Sequence, residues 1–285
     1  MNRIIELGLH PVALAGSLLL FLALGGGPLA VLVTFFVLQG ALLVLQRLVP
    51  ERPDWRMGIG ESLLLVATAA IFTVAIGVIA TLQDEGWALL GLAAPAGRIA
   101  GWPITAQVIA LFFGADLIYY WIHRAIHRWP WLWRVSGHGV HHAFHRLHAA
   151  HAGVTHPFEL VLLALPMSLL AMLTGPVPEA VIVATLLLLS NVMLAHCNLR
   201  MATPLLKWVL TTSEQHRRHH SSVFEESNSN YACNAILWDR LFGTYGGGTS
   251  AQTGIGPRQP GVVELLRMPF REPDDAETVS SRRRG

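Results

Sequence analysis

The chain alternates long apolar stretches with short polar ones. Residues 7–24, 28–46, 62–83, 103–122, 158–174 and 177–195 are apolar runs with at most an isolated charge. A helix rises about 1.5 Å per residue, so roughly 20 such residues cross about 30 Å of hydrocarbon. In lipid a helix satisfies its own backbone, so strands have little place in this pattern. The expected fold is therefore all-α: a polytopic membrane bundle of about four to six embedded helices, capped by a helical, histidine-rich segment. The last two runs are separated only by Gly175-Pro176-Val177-Pro178 and predict a tight hairpin that either crosses twice or dips in from one side.

Composition agrees: 53% of residues are hydrophobic, 13% are charged and mean hydropathy is +0.47, too apolar for a soluble enzyme of this length. Basic residues are retained on the cytoplasmic side of spans. Every Lys and Arg except Arg98 falls on one side if both termini do. That places the termini, the 47–56 loop and the 124–146 segment in the cytoplasm. Arg3 before an apolar run and Ala23-Leu24-Gly25 resemble a signal peptide, but the length of the run and the apolar segment that follows favour a retained anchor. The net charge of +2 implies no nucleic acid.

Candidate chemistry is concentrated in histidine. Nine of the 14 histidines lie between His123 and His156, and His196, His216, His219 and His220 follow. They form an HxxxH box at His123 and His127, an HxxHH box at His138, His141 and His142, the isolated His196, and a second HxxHH box at His216, His219 and His220. Residues three and four apart share a helix face, so each box presents two or three imidazoles toward one point. Nine candidate ligands exceed what one four- to six-coordinate ion uses, which predicts two metals. Ligand type alone leaves zinc, copper, iron and nickel open. Neutral imidazoles leave metal charge uncompensated, so nearby carboxylates should orient the ligand N–H groups. Asp116 is the first candidate, seven residues before His123 in an apolar run, where an ionisable residue is functional by default. Asp239, in Trp238-Asp239-Arg240, is the second, with Glu159 and Glu214 behind them. His145, His148 and His151 read as an amphipathic continuation of the helix from His141 rather than as accessory ligands, the role of His156 stays open, and Trp129, Trp131 and Trp133 read as an interfacial belt. Cys197 and Cys233 make no zinc spacing and no disulfide framework. A Gly-rich nucleotide loop, a G-x-S-x-G elbow and HExxH do not occur.

The segments Asp116-Leu-Ile-Tyr-Tyr-Trp-Ile-His-Arg-Ala-Ile-His127, Trp133 with His138-Gly-Val-His-His142, His216-Arg-Arg-His-His220 and Trp238-Asp-Arg-Leu-Phe-Gly-Thr-Tyr245 resemble the sterol desaturase and fatty acid hydroxylase superfamily across residues 107–247. The resemblance implies an integral-membrane non-haem di-iron enzyme that uses O₂ and two external electrons to hydroxylate or desaturate a lipid C–H position. It carries the metal-ligand role to the nine box histidines, with His196 as the isolated one. One departure is Thr155-His156-Pro157-Phe158-Glu159, where many relatives have an arginine before the His-Pro element. His10-Pro11 does not resemble a fused haem-carrier box, so a separate cytochrome b5-like or ferredoxin-like donor with its reductase is expected. Sterol, hopanoid, carotenoid, fatty acyl and alkylglycerol lipids all remain open as substrates, and oligomeric state is not readable. The rival readings are a membrane transition-metal transporter or sensor and a bis-histidine haem electron carrier, which would leave most of the histidines unused. The expected organisation is N-terminal membrane helices at 1–104, a histidine-box core at 105–247, and a polar C-terminal tail at 248–285 that contains a short helix from Val262.

Overall fold

The computed structural model describes residues 3–92, 97–256, 258 and 260–270. The expected polar tail beyond residue 270 lies outside them. Six helices are long and apolar enough to cross a membrane, and among the described residues there is no strand. These are α1 (Arg3–Ala23), α2 (Pro28–Leu48), α3 (Ile59–Leu89), α4 (Ile104–Arg128), α7 (Pro157–Thr174) and α8 (Pro178–His196). The protein is an all-α, multi-pass integral membrane bundle. Short helices build its cap: α5 (Pro130–Ser136), α6 (Gly139–His142), α9 (Leu206–Val209), α10 (Ser213–His219), α11 (Phe224–Ser227) and α12 (Leu237–Leu241). The expected helix from Val262 is present as α13 (Val262–Arg267).

α8 is the hub. Its Ala180 and Ala184 pack against Leu111 of α4, its Leu186 against Phe21 and Ala30 of the first two helices, and its Met193 and Leu194 against Phe35, Leu38 and Leu42 of α2. The α7–α8 hairpin starts and ends at the same face, where α4 also ends. α4 buries Gln107, Leu111, Phe112, Ala115, Asp116, Tyr119, Tyr120, His123 and Ile126, one stripe at spacings of three and four. His123 thus continues the buried stripe of a membrane helix out to the end of the bundle.

The cap differs from the expected continuous helix. Gly137 takes a left-handed conformation (φ 73°) that ends α5 and lies against His156, a position without room for a side chain. The chain then makes only the single turn α6 and leaves it after His142. A short 3-10 segment, Ala149–Gly153, follows, started by His148, whose ring accepts from the Ala150 amide. His148 and His151 are buried, and His151 stacks on Phe144 with centroids 4.0 Å apart. The expected amphipathic face over His145, His148 and His151 is therefore not formed. His156 instead caps α7, accepting from the Phe158 amide.

Three sets of contacts dock the cap on the bundle. The Gln46 carboxamide oxygen accepts from the amides of Asn198 (2.7 Å) and Ala149 (3.2 Å). The Asn198 side chain exchanges two hydrogen bonds with the Arg52 backbone, and the buried Arg217 pairs with Glu51 at 2.7 Å. Replacing Gln46 by Leu leaves two buried amides without an acceptor, at roughly 1–3 kcal/mol each. Q46L should therefore lower the apparent Tm of the detergent-purified protein by several degrees; an unchanged melting curve would show that other acceptors take over.

Candidate metal centre

The nine box histidines gather into two groups. His123, His127, His138, His142 and His219 form one; His141, His196, His216 and His220 form the other, and within each the ring nitrogens lie within 4.8 Å of one another. Each HxxHH box is split between them. Residues four apart are about 40° apart around a helix and adjacent ones about 100°. Accordingly His138 and His142 enter the first group while His141 enters the second; His216 and His220 enter the second while His219 enters the first. His142 and His220, one from each group, stack with centroids 4.4 Å apart.

Proton positions follow from the partners. His123 Nδ1 donates to the Tyr231 carbonyl (2.6 Å), His219 Nδ1 to the Ser229 carbonyl (2.9 Å) and His138 Nδ1 to Glu159 Oε1 (2.6 Å). A carbonyl only accepts, so each ring carries its proton on Nδ1 and leaves Nε2 as a bare lone pair. Those lone pairs nevertheless face each other: His123 Nε2 lies 2.9 Å from His138 Nε2 and 3.0 Å from His219 Nε2. The second group repeats this. His141 Nδ1 donates to the Val154 carbonyl and His196 Nδ1 to the Val192 carbonyl, with their Nε2 atoms 3.1 Å apart. Lone pairs at that separation repel unless they share an electrophile. Metal–imidazole bonds of about 2.0–2.1 Å set neighbouring donors of an octahedron about 3 Å apart, so the donor set fits a metal ion in each group. Burial favours the neutral form of two of these rings: the His219 imidazole is lowered to about 3 and the His141 imidazole to about 4.

The carboxylate on the ligands is Glu159. In the first turn of α7, it accepts from His138 Nδ1, from the Tyr119 hydroxyl (3.2 Å) and from the Thr155 hydroxyl. The hydrogen bonds of Asp116 and Asp239 go to backbone amides and a hydroxyl rather than to the imidazoles. Asp116 accepts from the amides of Asn234 (3.0 Å) and Ala235 (2.8 Å). Asp239 accepts from the amides of Tyr231 and Ala232 (both 2.8 Å) and from Thr244, while burial pushes its carboxyl up to about 6. Both aspartates therefore fix the 231–235 loop, and through it the Tyr231 carbonyl that orients His123. The signal for Glu159 was its place after His156-Pro157, where helix start and second box meet. Backbone acceptors such as Tyr231 and Ser229 have no sequence signal, since every residue has a carbonyl.

Trp133 lies on the first group rather than in an interfacial belt, its ring 5.0 Å from His127, 5.1 Å from His138 and 5.2 Å from His142. Trp129 and Trp131 are exposed, as a belt requires. Both cysteines are buried and free, and neither joins a group. Cys197 is pushed up to about 12 by burial, which keeps it a thiol. A cavity of about 170 Å³ runs from this layer into the bundle between α3, α4, α7 and α8. Tyr119, His141, Thr155 and Glu159 line one end; Phe72, Ile76, Leu163, Met167 and Leu188 line the remainder.

Losing an outer carboxylate typically weakens metal binding 10–100-fold. Glu159→Ala should weaken binding to the five-histidine group by that factor and leave the four-histidine group unchanged. A two-phase metal titration reads both; identical titrations for variant and parent would remove Glu159 from the centre.

The fatty acid hydroxylase family model matches residues 108–244, the stretch that holds all nine histidines. The chain is 28% identical over 253 residues to ornithine lipid hydroxylase OlsE of Rhizobium tropici, covering 85% of this chain and 76% of that protein. It is 36% identical over 137 residues to alkylglycerol monooxygenase of Danio rerio, covering 47% of this chain and 29% of that one. It is 27% identical over 143 residues to methylsterol monooxygenase 2-2 of Arabidopsis thaliana, covering 50% and 53%. No solved structure matches. With the histidine geometry above, these matches place the chain in the sterol desaturase and fatty acid hydroxylase superfamily.

Proposed function

We propose that the protein is a membrane-bound di-iron oxidoreductase that uses O₂ and two electrons from a separate carrier to hydroxylate or desaturate a C–H position of a lipid. The observation that carries this reading is the pair of imidazole groups, their bare Nε2 atoms facing one another, at the end of an apolar cavity. His123, His127, His138, His142 and His219 would hold one iron, and His141, His196, His216 and His220 the other. Bound there, the irons would supply the redox chemistry that lets O₂ attack an unactivated C–H bond.

The chain's own residues prepare that step. Glu159 keeps the His138 proton on Nδ1 and so keeps Nε2 available. Tyr119 donates to Glu159 and also lines the cavity, so the carboxylate meets a hydroxyl rather than water. The apolar walls exclude water and hold a hydrocarbon chain beside His141, the ligand of the four-histidine group that borders the cavity. The Rhizobium relative, which matches along 85% of this chain, favours hydroxylation of an amphipathic membrane lipid over desaturation. The basic-residue distribution favours boxes and termini on the cytoplasmic side, within reach of a cytochrome b5-like or ferredoxin-like donor and its reductase.

The test supplies iron-loaded protein with ¹⁸O₂, reductant, a donor and extracted membrane lipids. One product heavier by a single ¹⁸O atom is expected, absent in His138→Ala. Met167→Trp, which fills the cavity, should cut turnover at least about tenfold with iron content retained, by loss of positioning. Metal-dependent uptake into proteoliposomes without any oxidised lipid would favour the transporter reading instead.

A further inference from the structure

A second cavity, of about 250 Å³, lies apart from the histidine centre, at the mouth between the end of α2 and the start of α3. Its polar rim carries Arg47, Arg56 and Ser62; Val44, Ile59 and Leu63 form its apolar side. These three apolar side chains are 58–64% exposed on the outer faces of two membrane helices, so the cavity opens toward lipid.

Charge bookkeeping around the cavity leaves two cations over. The loop between α2 and α3 and the first turn of α3 hold three acids, and each is already taken. Asp54 pairs with Arg52 (3.2 Å), Glu61 with Arg146 (2.6 Å) and Glu51 with Arg217 (2.7 Å). Arg47 and Arg56 form no ion pair among the described residues. Arg47 donates only to the Met57 carbonyl, at 3.3 Å. Both side chains are exposed and line the same cavity. The first turn of α3, a 31-residue helix, adds free amides on the same side. The segment from Phe144 to Val154 packs between α2 and α3, through Ala149 on one side and Leu147 on the other, and keeps the mouth open.

We propose that this mouth is a binding site for one anionic phospholipid, with its phosphate held by Arg47, Arg56 and the start of α3, and an acyl chain along Val44, Ile59 and Leu63. A guanidinium pair matches a phosphate in charge and hydrogen-bond geometry, and the apolar wall beneath it distinguishes a lipid from a free anion. The site is separate from the centre and does not depend on the reaction proposed above.

The test is native mass spectrometry of the delipidated full-length protein with dioleoyl phosphatidylglycerol or dioleoyl phosphatidylcholine. The parent should bind one phosphatidylglycerol in preference to phosphatidylcholine. Each arginine beside an anionic headgroup contributes about fivefold, so R47Q/R56Q should bind it about 25-fold more weakly. R98Q/R267Q removes the same charge elsewhere and should bind like the parent. The proposal is overturned if R47Q/R56Q binds like the parent, or if R98Q/R267Q loses as much, which would indicate diffuse surface charge. It is equally overturned if millimolar inorganic phosphate displaces the lipid, which would indicate a free-anion site. Retained iron content and melting temperature in R47Q/R56Q identify the loss as binding rather than unfolding.

Discussion

The histidine layer is set by protons held on the outer nitrogens of its imidazoles. Five of the nine box imidazoles donate Nδ1–H to a carbonyl or to Glu159, and their Nε2 atoms are thereby bare and turned toward one another. Without a shared cation that arrangement is repulsive, and burial withholds water as a substitute. A metal ion in each group would relieve that repulsion, and its binding would then be coupled to the folding of the cap.

The outer acceptors must themselves be held, and the bundle does this from inside. Asp116, within α4, fixes the amides of Asn234 and Ala235; Asp239, within α12, fixes those of Tyr231 and Ala232. One loop gripped by two carboxylates places the Tyr231 carbonyl on His123. On the far side of the layer, Gln46 and Asn198 join α2, the 149–153 segment and the α2–α3 loop. Membrane helices and cap are therefore joined, and the apolar cavity lies among helices that also carry box histidines.

The six spans were legible because lipid imposes a length and a polarity that few other folds share. The gathering of the nine box histidines was legible because imidazoles three and four apart share a helix face and have few other uses in that number. Their division between two groups was not, since it depends on which neighbouring helix each face meets. The HxxHH spacing does contain the answer locally, because adjacent histidines cannot share a face. Asp116 was conspicuous as an acid in an apolar run, yet its partners are backbone amides from a loop more than a hundred residues away. Glu159 was less conspicuous because it sits at a helix start, where an acid is ordinary. The end of α6 after His142 and the new 3-10 start that His148 caps escaped pattern reading as well, because both depend on tertiary packing.

Elemental analysis of the purified protein after anaerobic iron loading tests most directly whether each histidine group holds a metal ion, alongside His219→Ala for the first group and His196→Ala for the second. Two irons per chain are expected in the parent and one in each variant. A parent that holds no more than one iron, or variants that keep two, would contradict a metal ion in each group.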